Sequence, residues 1–298
     1  MKKNKILIQI FPMVTDIDYL ERTLLLLKQN SVYVDRSKFH IILDVTYPLS
    51  NYFVDWNNSI LKKDFFLDKF EELKKYGDWA DECYFNIDEE VKGCVDYCVN
   101  NIYKYDVDDS IWLDTDIIFN PYTLSILLES SFEIKKLQSK YIITPECVKL
   151  WDNTWDILTN EKYLYKPYGY EKTNDSISDV MDMPEDVSLE PLMQGDKKLF
   201  KFGGSWFTLF SKELLDSINF PKDLKGYSPI DTFIMTYSNY FPEITQFKIK
   251  NLVICEDYKH TSRTTYSKYI KTIDRKLEYF DSSWEKMINH LSTKLSNQ

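Results

Sequence analysis

Apolar positions in the first part of the chain come in two alternating textures. Dense runs of Ile, Leu, Val and Phe read as buried strands, and apolar residues at every third or fourth position read as amphipathic helices. Lys5 to Met13 is the first dense run, with Ile6, Leu7, Ile8, Ile10 and Phe11, and Pro12 marks its end. Asp16 is placed to cap a helix running through Gln29, with Leu20, Leu24 and Leu27 on one face. Phe39 to Val45 is a second strand that carries Asp44 at its end. After a polar, aromatic stretch from Tyr47 to Asn58, Leu61 to Lys75 predicts a helix through Phe65, Leu67, Phe70 and Leu73, ended by Gly77. Glu82 to Ile87 is a third strand, Glu89 to Tyr105 a helix, and Ile111 to Leu113 a further strand. Strand and helix in strict alternation predict a parallel sheet with crossover helices.

The second half changes character. Leu124 to Leu137 predicts a helix, and Tyr141 to Thr144 a strand stopped by Pro145. Trp151 to Tyr170 is aromatic and irregular. Asn174 to Glu190 is acidic with no basic residue, which reads as a solvated surface loop or as a lid over a site. Leu199 to Ser211 predicts a strand interrupted by Gly203-Gly204, Ser228 to Tyr240 a helix, and Phe247 to Ile254 another strand. The tail from Tyr266 to Leu295 keeps a helical spacing of apolar residues, suited to docking on the main domain. No internal repeat and no clear linker breaks the chain. The reading is a catalytic domain over 1–263, with a nucleotide-binding half (1–120) and an acceptor-side half (121–263), followed by a helical tail over 264–298.

Composition narrows the class. With 298 residues, 44% hydrophobic and 28% charged, the chain has room and apolar content for a soluble α/β domain. A net charge of −10 argues against nucleic acid as a partner, since phosphate backbones need clustered Lys and Arg. The basic start Met1 to Lys5 leads into a short run containing Gln9, which reads as a strand and not as a signal or a membrane span. Five cysteines without finger-like spacing, Cys94 and Cys98 being the nearest to a pair, predict free thiols in a reducing compartment such as the cytoplasm. The tail allows at most peripheral membrane contact, because it holds acids as well as lysines.

Ser110 to Phe119 carries the chemistry. The strand residues Ile111-Trp112-Leu113 run into Asp114-Thr115-Asp116. Two carboxylates at the end of a buried strand are costly unless a cation neutralises them, and hard oxygen ligands suit Mg²⁺ or Mn²⁺. An Asx turn after a strand is the plainer explanation. What sets the two apart is the rest of the chain: Gly93 opening the helix before this strand, Phe202-Gly203-Gly204-Ser205-Trp206-Phe207 later, Pro229-Ile230-Asp231 at a helix start, and Lys259-His260-Thr261-Ser262-Arg263 near the end of the domain.

In that order and spacing the chain, from Lys5 to Arg263, resembles the nucleotide-sugar-dependent glycosyltransferases of the GT-A fold. The resemblance implies a Rossmann-like, mostly parallel sheet flanked by helices, and transfer of a sugar from a nucleoside diphosphate donor to a glycan, lipid-linked or protein acceptor. It implies that Asp116 and His260 ligate Mn²⁺ or Mg²⁺, and that Asp114 contacts the ion, its water or the ribose. It implies a donor contact from Gly93. Asp44, at the end of the second strand, is placed to hydrogen-bond the donor base or ribose or to serve as a plain turn carboxylate, and Lys259 and Arg263 are placed to reach phosphate oxygens or to stand as solvated surface. Gly203 and Gly204 would allow close backbone approach, and Trp206, Trp151 and Trp155 would offer a sugar platform. Asp231 would take the acceptor proton, which implies inversion; a retaining enzyme would not need it. The usual Glu-Asp pair is Ile230-Asp231 here, and the usual Arg-Asn after Gly93 is replaced by Val99-Asn100.

Three rival readings stand beside it. A non-catalytic carbohydrate- or nucleotide-binding protein on this fold would need the acids without turnover. A phosphatase using Asp-x-Asp as nucleophile would open its domain with that strand, whereas three alternating units precede it here. A sugar nucleotidyltransferase would carry a Gly- and Arg-containing loop after the first strand, where this chain has Phe11-Pro12-Met13-Val14.

Overall fold

The first dense run forms β1 (Asn4–Ile10), followed by a 3-10 turn at Val14–Asp16 and by α1 (Ile17–Ser31). Then come β2 (Phe39–Pro48), α2 (Lys63–Leu73), β3 (Glu82–Asp88), α3 (Asn100–Tyr105) and β4 (Asp109–Leu113). The remaining elements are β5 (Ile117–Ile118), α4 (Thr123–Ile134), β6 (Tyr141–Lys149), β7 (Ser188–Pro191), β8 (Trp206–Ser211), α5 (Lys212–Ile218), α6 (Ile230–Ser238), β9 (Thr245–Glu256) and α7 over 285–296. The structure is a computed structural model that describes residues 3–12, 14–49, 56–57, 62–89, 97–149, 184–191, 206–221, 224, 230–256 and 285–297.

One nine-stranded sheet takes strands from both halves of the chain, in the order β3-β2-β1-β4-β8-β6-β9-β5, with β7 also pairing to β9. The first four strands are all parallel, as the alternation predicts. β8 then enters antiparallel between β4 and β6, so the sheet is mixed beyond that point. Helices cover both faces. On one face α1, α2 and α4 pack on Ile6, Ile8, Leu43, Val45 and Ile111; on the other α3, α5, α6 and α7 pack on Leu7, Ile42, Trp112 and Phe210. Alternate residues of β1 and β2 therefore serve opposite cores, which is why these strands read as unbroken apolar runs. This is an α/β architecture with a central sheet between helical layers and a C-terminal helix.

The docking of α7 has a clear anchor. Met287 and Leu291 are buried in the second core. His290 Nε2 lies 2.8 Å from the Ile218 carbonyl, and Lys294 Nζ donates to the Ser217 carbonyl at 2.9 Å. Both side chains thus meet the carbonyl end of α5, where unpaired oxygens and the helix dipole favour donors and cations. No helix among the described residues is long and apolar enough to cross a membrane.

Three local expectations are corrected. Asp16 stands at the N-cap of α1, but its side chain makes no capping bond; it accepts instead from the Thr115 hydroxyl at 3.4 Å. Its backbone (φ −105°, ψ 11°) lies outside the extended region that normally aims a cap at the helix amides. Pro145 does not stop β6. The strand continues to Lys149, with the pairing to β9 shifting register between Pro145 and Glu146, a bulge that accommodates a residue without an amide hydrogen. The end of the acidic stretch is not loop either, because Ser188–Pro191 pairs antiparallel with β9. Asp186 precedes that strand with a positive φ of 50°.

Candidate functional site

Parallel β3, β2, β1 and β4 deliver their carboxyl ends to one edge of the sheet, where ligands of open α/β sheets bind. On the face opposite α1, the residues approaching that edge turn polar. Leu7 and Ile42 are buried in the second core, and the next residues of the same parity are Gln9, Asp44 and Thr46. From β3 come Asn86 and Asp88, in register with Thr46 and Pro48. A cleft of ≈ 430 Å³ opens there, walled on its far side by Tyr97 and by Asn100, Asn101 and Lys104 of α3.

Asp44 is 2% exposed and already engaged. Its Oδ1 accepts from the Thr46 hydroxyl at 2.7 Å, its Oδ2 accepts from the Tyr105 hydroxyl, and Asn86 Nδ2 stands 3.3 Å from each oxygen. Those contacts account for the roughly four acceptor sites of a carboxylate. The Tyr105 hydroxyl in turn accepts from Lys104 Nζ at 2.8 Å, and its ring stacks on Tyr84 with centroids 4.8 Å apart. Burial, and then the bond to Asp44, raise the Tyr105 phenol well above its ordinary value, so it stays protonated and keeps donating. Asp88 is 7% exposed, and its Oδ2 accepts from the Tyr97 hydroxyl at 2.6 Å. Gln9 Nε2 donates to the Cys98 carbonyl and to Ser110 Oγ, both at 2.8 Å, while its Oε1 accepts from Asn101 Nδ2 at 3.2 Å.

Asp114-Thr115-Asp116 follows β4 directly, at the same edge of the sheet. Its middle residue is tied down. The Thr115 carbonyl accepts from Thr23 Oγ1 of α1 at 2.8 Å, and its hydroxyl reaches Asp16. Thr23 is fully buried and Thr115 3% exposed, so the turn is held from the helix side. Asp114 is half-buried and Asp116 7% exposed. Adjacent strands lie about 4.8 Å apart, so β4 and β3, three spacings distant, put this turn and the β3 side of the cleft on the order of 10–15 Å apart. Among the described residues no group of three or more His, Cys, Asp or Glu is arranged to hold a metal ion. The two aspartates suffice for a cation that takes its remaining ligands from water and phosphate, which is how Mg²⁺ is commonly held.

The other expected residues fall in two groups. Asp231 is half-buried in the first turn of α6, one residue inside the described start of that helix. Trp206 is 8% exposed and packs in the first core, which leaves little ring surface for a sugar. Gly93, Trp151, Trp155, Gly203, Gly204, Lys259, His260 and Arg263 lie outside the described residues. Sequence reading passed over Gln9, Asn86, Asp88, Asn101 and Tyr105. The signal for Gln9 is a parity rule: it is a polar residue inside a β-prone run, on the face that Leu7 shares.

No family profile matches the chain, and no curated protein matches it. Among solved structures it is similar to S. aureus TarS, with 11% identity over 85% of this chain and 37% of that one and a TM-score of 0.48. It is similar to S. aureus TarS 1-349 in complex with UDP-GlcNAc, with 10% identity over 86% of this chain and 59% of that one and a TM-score of 0.48. It is also similar to the mannosyltransferase PcManGT from Pyrobaculum calidifontis in complex with GDP-Man and Mn²⁺, with 11% identity over 86% and 57% and a TM-score of 0.48. The chain therefore spans less than two thirds of the length of each.

Proposed function

We propose that this chain transfers a glycosyl group from a nucleoside diphosphate sugar to an acceptor hydroxyl on a glycan, lipid-linked or protein substrate. The observation that carries the reading is the common edge of β3-β2-β1-β4, which joins a polar cleft to the anchored Asp114-Thr115-Asp116 turn. The cleft suits the nucleoside, because two of its three charged lining residues, Asp44 and Asp88, repel phosphate, and the third, Lys104, already donates to the Tyr105 hydroxyl. The diphosphate then extends along the strand ends towards the aspartate turn.

Asp114 and Asp116 would hold Mn²⁺ or Mg²⁺, with His260 as a further ligand and Lys259 and Arg263 beside the phosphates. When bound, such an ion supplies positive charge to the oxygens of the departing diphosphate. The chain's own residues do the rest. Thr23 and Asp16 keep the turn from moving as charge builds beside it, which matters because preorganised groups stabilise a transition state without rearranging. Gly93, Gly203 and Gly204 let backbone approach the donor, and Trp151 and Trp155 line the sugar side. Asp231 takes the acceptor proton as its oxygen attacks the anomeric carbon, giving inversion. The protein works in the cytoplasm, with membrane contact at most peripheral.

The test is nucleotide binding followed by turnover. Uridine and guanosine diphosphates are titrated with Mn²⁺ and in chelator, against wild type and Asp116→Asn. Metal-dependent affinity that falls at least about tenfold in the variant is expected, because a hard-cation site loses a charged ligand. Affinity indifferent to both metal and Asp116 overturns the reading. Metal-dependent binding with no sugar transfer and no donor hydrolysis would favour a non-catalytic nucleotide-binding protein on the same fold.

A further inference from the structure

We infer that Phe207 is a positioning residue for the aspartate turn: a strained bulge at this residue turns Trp206 off the face of the sheet on which the ion and the diphosphate would lie. The inference rests on the metal and nucleotide reading above and adds to it a residue that acts through its backbone.

The backbone of Phe207 is the anomaly. Its φ is 124°, where a Cβ is crowded and glycine is the usual occupant. The other non-glycine residues with positive φ among those described are Asp106, Asp186, Asn219 and Asn251, whose short polar side chains make that region tolerable. A bulky residue has no such relief. It keeps a conformation of this kind only where the surroundings over-determine it, and such residues cluster at functional sites. The surroundings here are plain. Phe207 is fully buried in the first core, and its ring meets that of Phe119 edge-on with centroids 4.7 Å apart. Burial of the ring offsets the cost of the backbone.

The strain coincides with a break in register beside the aspartates. Antiparallel β4 and β8 pair Ile111 with Leu209 and Trp112 with Thr208, and then Leu113 with Trp206. Phe207 is passed over, which makes it the extra residue of a β-bulge. In an unbroken ladder Leu113 would oppose Phe207, and Asp114 would oppose Trp206. By alternation Trp206 would then share the face of Thr208 and Phe210. That is the face of the cleft, since Phe210 and Trp112 lie in the second core together with Leu7 and Ile42. The extra residue sends Trp206 to the opposite face instead, where it is 8% exposed and packs in the first core with Leu113. The bulge thus removes an indole from the position across from Asp114, which has the parity of Trp112. A bulge that re-aims a side chain next to a site is a recurrent use of this irregularity.

Two substitutions separate the backbone from the ring. Phe207→Gly loses the ring and favours the positive φ; Phe207→Val keeps an apolar, β-prone side chain and disfavours that φ. If Phe207 served packing alone, Val would be the better replacement. UDP and GDP are titrated into wild type and both variants, in Mn²⁺ and in chelator, and the readout is the gain in affinity that Mn²⁺ gives over chelator. The Gly variant is expected to keep this gain within about threefold of wild type, and the Val variant to lose at least about tenfold of it, the range typical when support of a metal ligand is lost. Affinity in chelator should stay within about threefold in both, because the cleft around Asp44 is untouched. A Val variant that keeps the gain as well as the Gly variant overturns the inference and leaves the nucleotide reading standing. A wild type with no Mn²⁺-dependent binding of either diphosphate overturns both. If either variant does not fold, crystals of wild type with Mn²⁺ and the tighter diphosphate decide: the ion on the face that Trp206 vacates supports the inference, and Trp206 on that face, with Leu113 paired to Phe207, refutes it.

Discussion

Asp109 opens β4 at the end of the sheet remote from the cleft, and it is fully buried. Its Oδ1 accepts from the Tyr141 hydroxyl at 2.8 Å, while Lys135 Nζ stands 4.0 Å from its Oδ2, which accepts no hydrogen bond. Burial pushes the carboxyl up from 3.8 to about 7, against the pull of Lys135 and Tyr141 and with smaller pushes from Asp108 and Glu213. A carboxyl raised on folding binds its proton more tightly in the native than in the unfolded chain. Its contribution to stability is therefore greatest below pH 3.8, falls as pH rises, and levels off above about 7. At more than a kcal/mol per pH unit, the loss between about pH 5 and pH 8 is on the order of 2–3 kcal/mol. Asp109→Asn removes the titration and keeps an acceptor for Tyr141. Urea denaturation of both proteins at the two pH values isolates the effect, since every other titrating group cancels in the difference. The stability of wild type relative to the variant should drop by on the order of 2–3 kcal/mol from the lower pH to the higher. A difference that does not change with pH would show that Asp109 is not forced to titrate in this interior, and would refute the reasoning.

Gly77→Ala should destabilise by roughly 1–3 kcal/mol, because an added Cβ runs into Cys83 Sγ and lies 2.9 Å from the Phe85 ring; Cys83→Ala should restore part of the loss in thermal melts. Lys248→Met should cost about 3–5 kcal/mol in denaturant titration, since it removes the ammonium that stands 3.0 Å from the fully buried Glu146 carboxylate and leaves that charge without its cation, although the Asn251 amide still donates to it at 3.1 Å. Asp231→Asn should leave donor affinity near normal while lowering sugar transfer by roughly two to four orders of magnitude; unchanged turnover would remove Asp231 from the chemistry.

Much of the fold is legible because strand and helix leave local marks. Ile6 to Ile10 and Phe39 to Val45 announce buried strands by density of β-prone residues, and Leu20, Leu24 and Leu27 announce α1 by spacing. Pro145 misleads for an instructive reason. A proline argues against a central strand when the ladder is regular, and only the neighbouring strand supplies the register shift that spares the missing amide. The Asp114-Thr115-Asp116 turn is visible at once, since carboxylates after an apolar run demand an explanation. Its anchorage on Thr23 and Asp16 is not visible, because those residues stand about ninety to a hundred positions away.

The sequence by itself determined the alternation of strands and helices, the parallel start of the sheet and the aspartates at its edge. Each of these follows from spacing within a few residues, where the chain's own geometry couples neighbours. Only the tertiary structure decided that β8 would enter antiparallel between β4 and β6, that α7 would close on the carbonyl end of α5 through His290 and Lys294, and that Asn86 and Asn101 would set their amide nitrogens against Asp44 and Gln9. An asparagine in a sequence is both donor and acceptor. Which it offers depends on partners brought near by strand order and register, and here those partners, Asp44 and Gln9, lie tens of residues away.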